Sequence, residues 1–435
     1  MKIPFGKNEL AILAALLLLA FLTRIAFFPI PGFVNDLNTN AYWFSTAASS
    51  GPRVFYDAVS TLTPWIDYPP FNVYVFWFFG SLSKMLSSIF GTNLIMYIIK
   101  LPANVFDMAT AFLIFCFVRK HLSFKKALLA TALYAFNPAV IFNAAIWGQL
   151  DAIYTFFLVL SLSLMFNSKP KWAAVSFMIG VLTKPQSIAL APLLIFLTFR
   201  KYNWRGLVTS ILVAVATVFA VIISFEWSNP VTFLSKIYFG AYGHYGLVTV
   251  NAFNLWGFVG MNVPDTESFL FVDFNIIGWA MFAALSAFTL YFVHKRFDIS
   301  DKLPVIFAAF VFFFGFFMLP TRMHERYLFP AISMLALMFP FLKKIRPLFV
   351  VLTATYLVNQ AYVLYWLNAY ANAGYSYGPN LTGDPIALAV SLINLIAFVY
   401  VLMLMAGGEL WGKKWLSPNH IQAQMKTPAE VKGEG

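Results

Sequence analysis

The stretch NDLNTNAYWFSTAASSGPRVFYDAVSTLTPWIDYPP, residues 35–70, decides how this chain is organised. It lies between two long apolar segments, residues 10–28 and 94–118, and it holds three acids: Asp36, Asp57 and Asp67. A plain connector between membrane spans needs only a few polar residues, whereas this one is long, aromatic and acidic. Because long loops on a rigid scaffold often carry function, we expect the chemistry in this first loop, residues 30–92.

The composition is that of a membrane protein. Of the 435 residues, 61% are hydrophobic and only 11% are charged. Repeated apolar runs of about 20 residues indicate membrane spans and exclude a soluble globular domain. The net charge of +12 reflects basic residues at the cytoplasmic ends of spans, where they contact anionic lipids, and we expect no nucleic-acid partner. The single cysteine, Cys116, excludes an intramolecular disulfide.

Hydropathy predicts an all-α polytopic bundle of about twelve spans. They are residues 9–29, 93–118, 127–146, 150–167, 172–184, 186–199, 206–225, 271–294, 303–320, 327–342, 346–366 and 385–406. With both termini cytoplasmic, 21 of the 29 lysines and arginines lie inside. Residues 71–90 could also span, but that would move the basic cluster 119–126 outside, so we predict a helix in the outer interface. Residues 1–406 form one transmembrane domain, and 407–435 form a cytoplasmic polar tail.

Three outer motifs each allow a functional and a structural interpretation. In Trp147-Gly148-Gln149-Leu150-Asp151, Gln149 and Asp151 either face the same outer cavity as the first loop or belong to a plain turn. Lys184 precedes a helix-breaking proline and either contacts a phosphate or extends to the interface. The run 251–256 supplies Asn251, Asn254 and Trp256, which can line a sugar site or cap and anchor a helix.

The densest polar cluster near the membrane is Arg322-Met323-His324-Glu325-Arg326-Tyr327, between two predicted spans on the outer side. Two arginines and a histidine make a good anion site, because arginine forks match phosphate oxygens. We therefore predict that Arg322, His324 and Arg326 bind a phosphate. Arg24 and Asp107 lie deeper, inside spans, and pair either with other polar groups or with the ligand. The five histidines show no metal-ligand spacing and no nucleotide fingerprint occurs, so we expect neither a metal nor a cofactor.

Together these motifs resemble the GT-C membrane glycosyltransferases. The similarity is to the polyprenyl-phosphate-mannose-dependent group related to the second mannosyltransferase of GPI assembly and to the mycobacterial mannolipid mannosyltransferases. Seven motifs carry it in family order: Asp36, Tyr68-Pro69-Pro70, Asp107, Trp147-Gly148-Gln149-Leu150-Asp151, Lys184-Pro185, Asn251-Ala252-Phe253-Asn254-Leu255-Trp256 and His324-Glu325-Arg326-Tyr327.

The resemblance implies an inverting hexosyltransferase, with mannose as the expected sugar, on the outer or lumenal face of a prokaryotic plasma membrane or of the endoplasmic reticulum. Its partners are a polyprenyl-phosphate sugar donor, an acceptor hydroxyl on a lipid, glycan or protein, and membrane lipids. It implies Asp36 as the base, with Arg322, His324, Arg326 and Lys184 on the donor phosphate. Asp67, Tyr68, Asp107, Gln149, Asp151, Asn251, Asn254, Trp256 and Glu325 are the further candidates for substrate binding. Many relatives carry a second acid beside the base, where this chain has Asn35, so the resemblance gives no support for metal use.

The residues favour the same chemistry on their own. One carboxylate suffices to deprotonate an attacking hydroxyl, and a phosphate leaving group needs cations rather than an acid. Asp36 is the first acid after the first span, whereas Asp67 abuts Tyr68-Pro69-Pro70 and is placed to cap the following helix. Two alternatives remain: a transporter or lipid flippase, which would place ionisable groups at the midplane on repeated, broken helices, and a non-catalytic subunit of a glycosylation complex.

Overall fold

The computed structural model describes residues 6–60, 68–225, 229–296, 302–375 and 378–407. Asp67 and nearly all of the predicted tail therefore lie outside the described residues. The α-helices in chain order are α1 (Lys7–Phe27), α2 (Val34–Ser50), α3 (Phe55–Ser60), α4 (Pro70–Phe90), α5 (Ile95–Ile98), α6 (Leu101–Arg119), α7 (Phe124–Ala135), α8 (Pro138–Ile141), α9 (Asp151–Phe166), α10 (Pro170–Val181), α11 (Ala191–Ile222), α12 (Pro230–His244), α13 (Phe274–Arg296), α14 (Lys302–Met318), α15 (Phe329–Met338), α16 (Arg346–Asn372) and α17 (Pro385–Gly407). The strands are β1 (Thr249–Val250), β2 (Ser268–Phe269), β3 (Val272–Asp273) and β4 (Met323–His324), and a π-helical turn covers Phe142–Trp147.

The chain is an integral, multi-pass membrane protein. Within the described ranges, seven helices are long and apolar enough to cross a membrane, or eight if the bent pair α7 and Pro138–Trp147 counts as one span. The all-α polytopic prediction is therefore confirmed, but the count of twelve is not. The segments of three further predicted spans are shorter apolar helices: α9, α14 and α15. Helix α4 passes the same test of length and composition as the longer helices, so its assignment to the outer interface stays a prediction.

The predicted break between spans 186–199 and 206–225 falls inside α11. At Asn203 the backbone leaves the helical region, with φ 59° and ψ −169°, so two helices meet there at a kink. The basic residues Arg200, Lys201 and Arg205 surround this kink. Positively charged turns of this kind mark the cytoplasmic side of a membrane, which agrees with the two spans that the sequence predicts.

The centre of the molecule is the helix pair α14 and α15. Every residue of α15 is buried, as is every residue of α14 from Pro304 onward. Helix α15 packs against α6, α7, α9, α14 and α16, and α14 packs against α13 and α17. In lipid, where tails are as apolar as the helices, this close packing is what holds helices together. Residues 319–328 connect α14 to α15, and the packing of these two helices holds both ends of the connection in place.

Short strands fold the long loop between α12 and α13 onto that connection. Strand β1 pairs in parallel with β4, which places Thr249 beside Met323 and Val250 beside His324. An isolated bridge then joins Asn251 to His324. Because each strand has only two residues, the pairing adds little to stability on its own. It aligns the two polar motifs 249–256 and 322–327 that are distant in sequence.

Candidate active site

Asp36 lies in the first turn of α2, which begins at Val34, and its side chain is half-buried. The positive end of the helix dipole favours a carboxylate at this position. Its Oδ2 accepts a hydrogen bond from Trp147 Nε1 at 3.1 Å and another from Gln149 Nε2 at 2.8 Å. Among the described residues, Oδ1 has no hydrogen-bond partner. One oxygen is thus oriented by two neutral donors, and the other is left to accept a proton.

The two donors are aimed by an irregular turn. The π-helical turn ends at Trp147, and Gly148 follows with a φ of +84°, a conformation that glycine adopts without strain. The backbone N–H of Gln149 then donates to the carbonyl of Asn143 at 3.0 Å, which closes the turn. Single π-turns inside helices frequently mark functional sites, because they redirect side chains that a regular helix would bury.

Lys184 and Asp151 form a buried ion pair beside this turn. The Lys184 Nζ lies 2.6 Å from Asp151 Oδ1, and the side chains are 8% and 0% exposed. Asp151 is the first residue of α9, and Lys184 is extended before Pro185, as a residue preceding proline prefers. The ammonium also faces the rings of Tyr68, Tyr154 and Tyr327 at 5.8–6.0 Å. The lysine is therefore enclosed by an acid and three aromatic rings.

The connection after α14 supplies a second charged group. Arg326 Nη1 donates to Glu325 Oε1 at 2.8 Å and lies 3.3 Å from His324 Nδ1. Burial raises the pKa of the Glu325 carboxyl, although Arg326 opposes the shift. The Nε of Arg326 is buried without a hydrogen-bond partner among the described residues. A buried donor without a partner is uncommon, and here it leaves one N–H of the guanidinium for a bound anion.

These groups form one site, which we call the polar cluster: Asp36, Trp147, Gln149, Asp151, Lys184, His324, Glu325 and Arg326. The carboxylate of Asp36 is close enough to act electrostatically on Glu325 and Arg326, and that of Asp151 also acts on Arg326. The structure therefore brings together the predicted residues of the first loop, of the turn 147–151, of the break at 184 and of the segment 324–326. Tyr68 adjoins it, because the Lys184 ammonium lies 5.9 Å from the centre of the Tyr68 ring.

Sequence analysis missed the residues that support this cluster from α16 and the π-turn. Tyr356 donates its hydroxyl hydrogen to the carbonyl of Arg326 at 3.0 Å. Asn143 donates to Gln360 Oε1 at 3.0 Å and lies 3.4 Å from Asp151 Oδ2. Trp147 was named only as part of the motif 147–151, whereas its indole donates a hydrogen bond to Asp36. Asn143, Tyr356 and Gln360 are polar residues inside apolar runs, where polar groups need partners. This pattern is the sequence signal that could have identified them.

Arg322 does not belong to the polar cluster, and the structure does not support it as a phosphate ligand. Its Nε and Nη2 donate to the carboxylate of Asp265 at 2.6 and 3.0 Å, and its Nη1 donates to the carbonyl of Tyr242 at 2.6 Å. Hydrogen bonding to Asp265 raises the pKa of Arg322 further. With all three nitrogens occupied, Arg322 ties Tyr242 and Asp265 to the connection between α14 and α15.

Two of the three candidates in the run 251–256 have structural roles. The side chain of Asn254 accepts from the N–H of Trp256 and donates to the carbonyl of Phe317, and the Trp256 indole donates to the carbonyl of Leu319. Both side chains are buried and their polar groups are used in these contacts. Asn251 differs, because its bridge to His324 places it at the edge of the polar cluster.

Asp107 also lies apart from the polar cluster. It is fully buried, 3.7 Å from Arg24 Nη2, and its Oδ1 accepts from Tyr134 at 2.8 Å. This contact, the Arg24–Asp107 pair, links α1, α6 and α7. Arg24 and Asp107 therefore pair with polar groups of the protein, which is the first of the two alternatives that the sequence allowed.

Within the described ranges, no group of three or more histidine, cysteine or acidic side chains is arranged to hold a metal ion. No protein-family model matches the chain, and no curated protein sequence matches it. Solved structures do show a likeness. ArnT from Cupriavidus metallidurans bound to undecaprenyl phosphate gives a TM-score of 0.47 at 14% identity, over 94% of this chain and 79% of that chain. The same enzyme in the apo state gives 0.42 at 13% identity, over 93% and 78%.

Proposed function

We propose that this chain is an inverting GT-C glycosyltransferase. It transfers a hexose, with mannose as our expectation, from a polyprenyl-phosphate-linked donor to a hydroxyl of a lipid, glycan or protein on the outer or lumenal membrane face. The observation that carries the proposal is the setting of Asp36. Its Oδ2 is held by two neutral donors, its Oδ1 has no partner among the described residues, and Arg326 lies within its electrostatic reach.

Asp36 is the base in this mechanism. As the acceptor oxygen forms its bond to the anomeric carbon, the hydroxyl proton passes to the carboxylate, and the bond from that carbon to the phosphate oxygen breaks. A single displacement inverts the anomeric centre. A glycosidase also needs a protonated acid because its leaving group is an alcohol, whereas a lipid phosphate leaves as an anion, so one carboxylate is enough.

Cations of the polar cluster stabilise the departing phosphate. Arg326 is the principal ligand, because its Nε is an unused donor and its guanidinium is fixed by Glu325. His324 adjoins it, and the Lys184 ammonium, held by Asp151 at 2.6 Å, is proposed as a further donor to the phosphate. Charge-assisted hydrogen bonds of this kind are about twice as strong as neutral ones. A lipid carrier also accounts for a site that sits among membrane helices.

The test is transfer by the purified full chain in lipid nanodiscs. A panel of radiolabelled polyprenyl-phosphate hexoses, including mannose, is incubated with simple alcohol and glycolipid acceptors, and the product is analysed for anomeric configuration. We expect Asp36-dependent transfer with inversion from at least one donor. Movement of the intact donor across the bilayer without transfer would instead favour a flippase, and a product of retained configuration would overturn the single displacement.

A further inference from the structure

A buried lysine that the proposed mechanism does not use lies beside the polar cluster. Lys100 precedes α6 and is 1% exposed. Its Nζ donates to three backbone carbonyls: Phe28 at 3.0 Å, Ile30 at 2.7 Å and Ile146 at 3.0 Å. An ammonium has three N–H donors, one for each of these three carbonyls. Among the described residues no carboxylate pairs with this buried charge.

The three carbonyls belong to the two backbone segments that position the base. Phe28 and Ile30 follow α1 and lead into α2, whose first turn carries Asp36. Ile146 immediately precedes Trp147, the indole donor to Asp36. One ammonium therefore connects the segment of the carboxylate to the segment of its donors. Packing agrees with this: a Cβ on Gly32 would lie 2.3 Å from the Trp147 carbonyl oxygen, so the two segments touch.

Neighbouring contacts hold the lysine itself in place. Asn104, one turn along α6, donates to the Lys100 carbonyl at 2.7 Å and to the Ala144 carbonyl of the π-turn at 3.2 Å. A Cβ on Gly148 would lie 3.5 Å from the Lys100 Cγ, so the lysine stem packs against the same turn. An apolar side chain could fill this space without the desolvation penalty of a charge. It could not hold three carbonyl oxygens.

We infer that Lys100 is a positioning residue for the proposed transfer, acting through its ammonium to keep Asp36 in register with Trp147 and Gln149. The expected effect on turnover rests on the proposed function. The expected effect on the relative position of the two backbone segments does not. Losing the ammonium lets the two segments shift. Small misplacements of a catalytic group lower turnover by as much as about a hundredfold.

The first readout is independent of sugar transfer. The full chain is labelled with 5-fluorotryptophan, and the resonance of Trp147 is identified among the 12 tryptophans by its absence in Trp147→Phe. We expect Asp36→Asn and Lys100→Met each to move this resonance, and Lys100→Arg to keep it near its original place. The matched control is Thr131→Val, which removes a buried hydroxyl bonded within α7 and should leave the resonance unchanged. A resonance that stays in place in folded Lys100→Met overturns the inference.

The second readout is a double-mutant cycle on turnover. Lys100→Met should lower kcat in the wild-type background and cause no further loss in the Asp36→Asn background, because it acts through that carboxylate. Equal losses in both backgrounds would show a merely structural role and overturn the inference. If Lys100→Met does not fold, Lys100→Gln takes its place in both readouts. A wild type that transfers no sugar, with the resonance shifts present, would count against the proposed function alone.

Discussion

Two aspartates of this chain sit in opposite settings. Asp36 is half-buried and is held by the neutral N–H groups of Trp147 and Gln149. Asp107 is fully buried, 3.7 Å from the cation of Arg24 and hydrogen-bonded to Tyr134. The Arg24 side chain ties Asp107 to a second helix, whereas the two neutral donors orient the Asp36 carboxylate by hydrogen bonds. The comparison teaches that the acid proposed to accept a proton is the one without a cationic partner in contact, and that the paired acid holds helices together.

The largest effect is expected from removing the cation of the Arg24–Asp107 pair, which tests whether this pair stabilises the fold. Arg24→Met should destabilise the fold by about 3–5 kcal/mol, because it leaves a buried carboxylate without its partner. Thermal unfolding in detergent measures the loss. The double variant Arg24→Met/Asp107→Leu should recover most of it, and folded protein should keep its turnover. A single variant as stable as wild type would show that the pair is not structural.

The next largest effect concerns the base. Asp36→Asn keeps size and polarity but cannot take a proton, so turnover should fall by about a hundredfold or more while donor binding is largely kept. Asp67→Asn is the comparison in the same loop, and we expect it to lower expression or stability instead. Near-normal turnover in Asp36→Asn, together with loss in folded Asp67→Asn, would transfer the role of base to Asp67.

Arg322 and Arg326 lie in one segment, and their alanine variants should affect different properties of the protein. Arg326→Ala removes a charge-assisted contact of about 1.5–3 kcal/mol, so donor binding should weaken about tenfold to a hundredfold. Arg322→Ala breaks the pair with Asp265 and should lower stability with little change in donor affinity. Equilibrium binding of a polyprenyl-phosphate sugar is the measurement. The reverse ranking of the two variants would restore Arg322 as the phosphate ligand.

The smallest effect is expected for the neutral donors. Trp147→Phe removes one hydrogen bond to Asp36 and keeps most of the apolar packing. A neutral hydrogen bond contributes about 0.5–1.5 kcal/mol, so kcat should fall by about twofold to tenfold. Steady-state kinetics on the wild type and the variant checks this. A loss as large as that of Asp36→Asn would mean that the indole does more than orient the carboxylate.

Much of the architecture could be predicted because apolar runs and basic turns act locally. The kink at Asn203 falls between Arg200 and Arg205, where the charge pattern places a turn. The helices α14 and α15 are harder, since their 17 and 10 residues are short of the roughly 20 that a straight span needs. Their length is set by tertiary packing, which no local pattern reports.

For the site, the motifs were found but the partners were not. Asp151, Lys184 and Arg326 stand out in sequence because charges near membrane spans are rare. Their pairing needs contacts between α9, the break at 184 and the connection after α14. Arg322 and Arg326 look alike in sequence, and only the position of Asp265, 57 residues away, separates them. Lys100 was overlooked because it sits at the start of an apolar run and its partners are backbone carbonyls.

The burial of α15 has a consequence for biosynthesis. This helix is enclosed by α6, α7 and α9, which leave the ribosome early, and by α16, which leaves it late. Tyr356 of α16 also holds the carbonyl of Arg326. The segment 322–327 therefore precedes in the chain one wall of its own site. A chain that stops short of α16 holds every proposed catalytic residue and still lacks the helix that supports the carbonyl of Arg326.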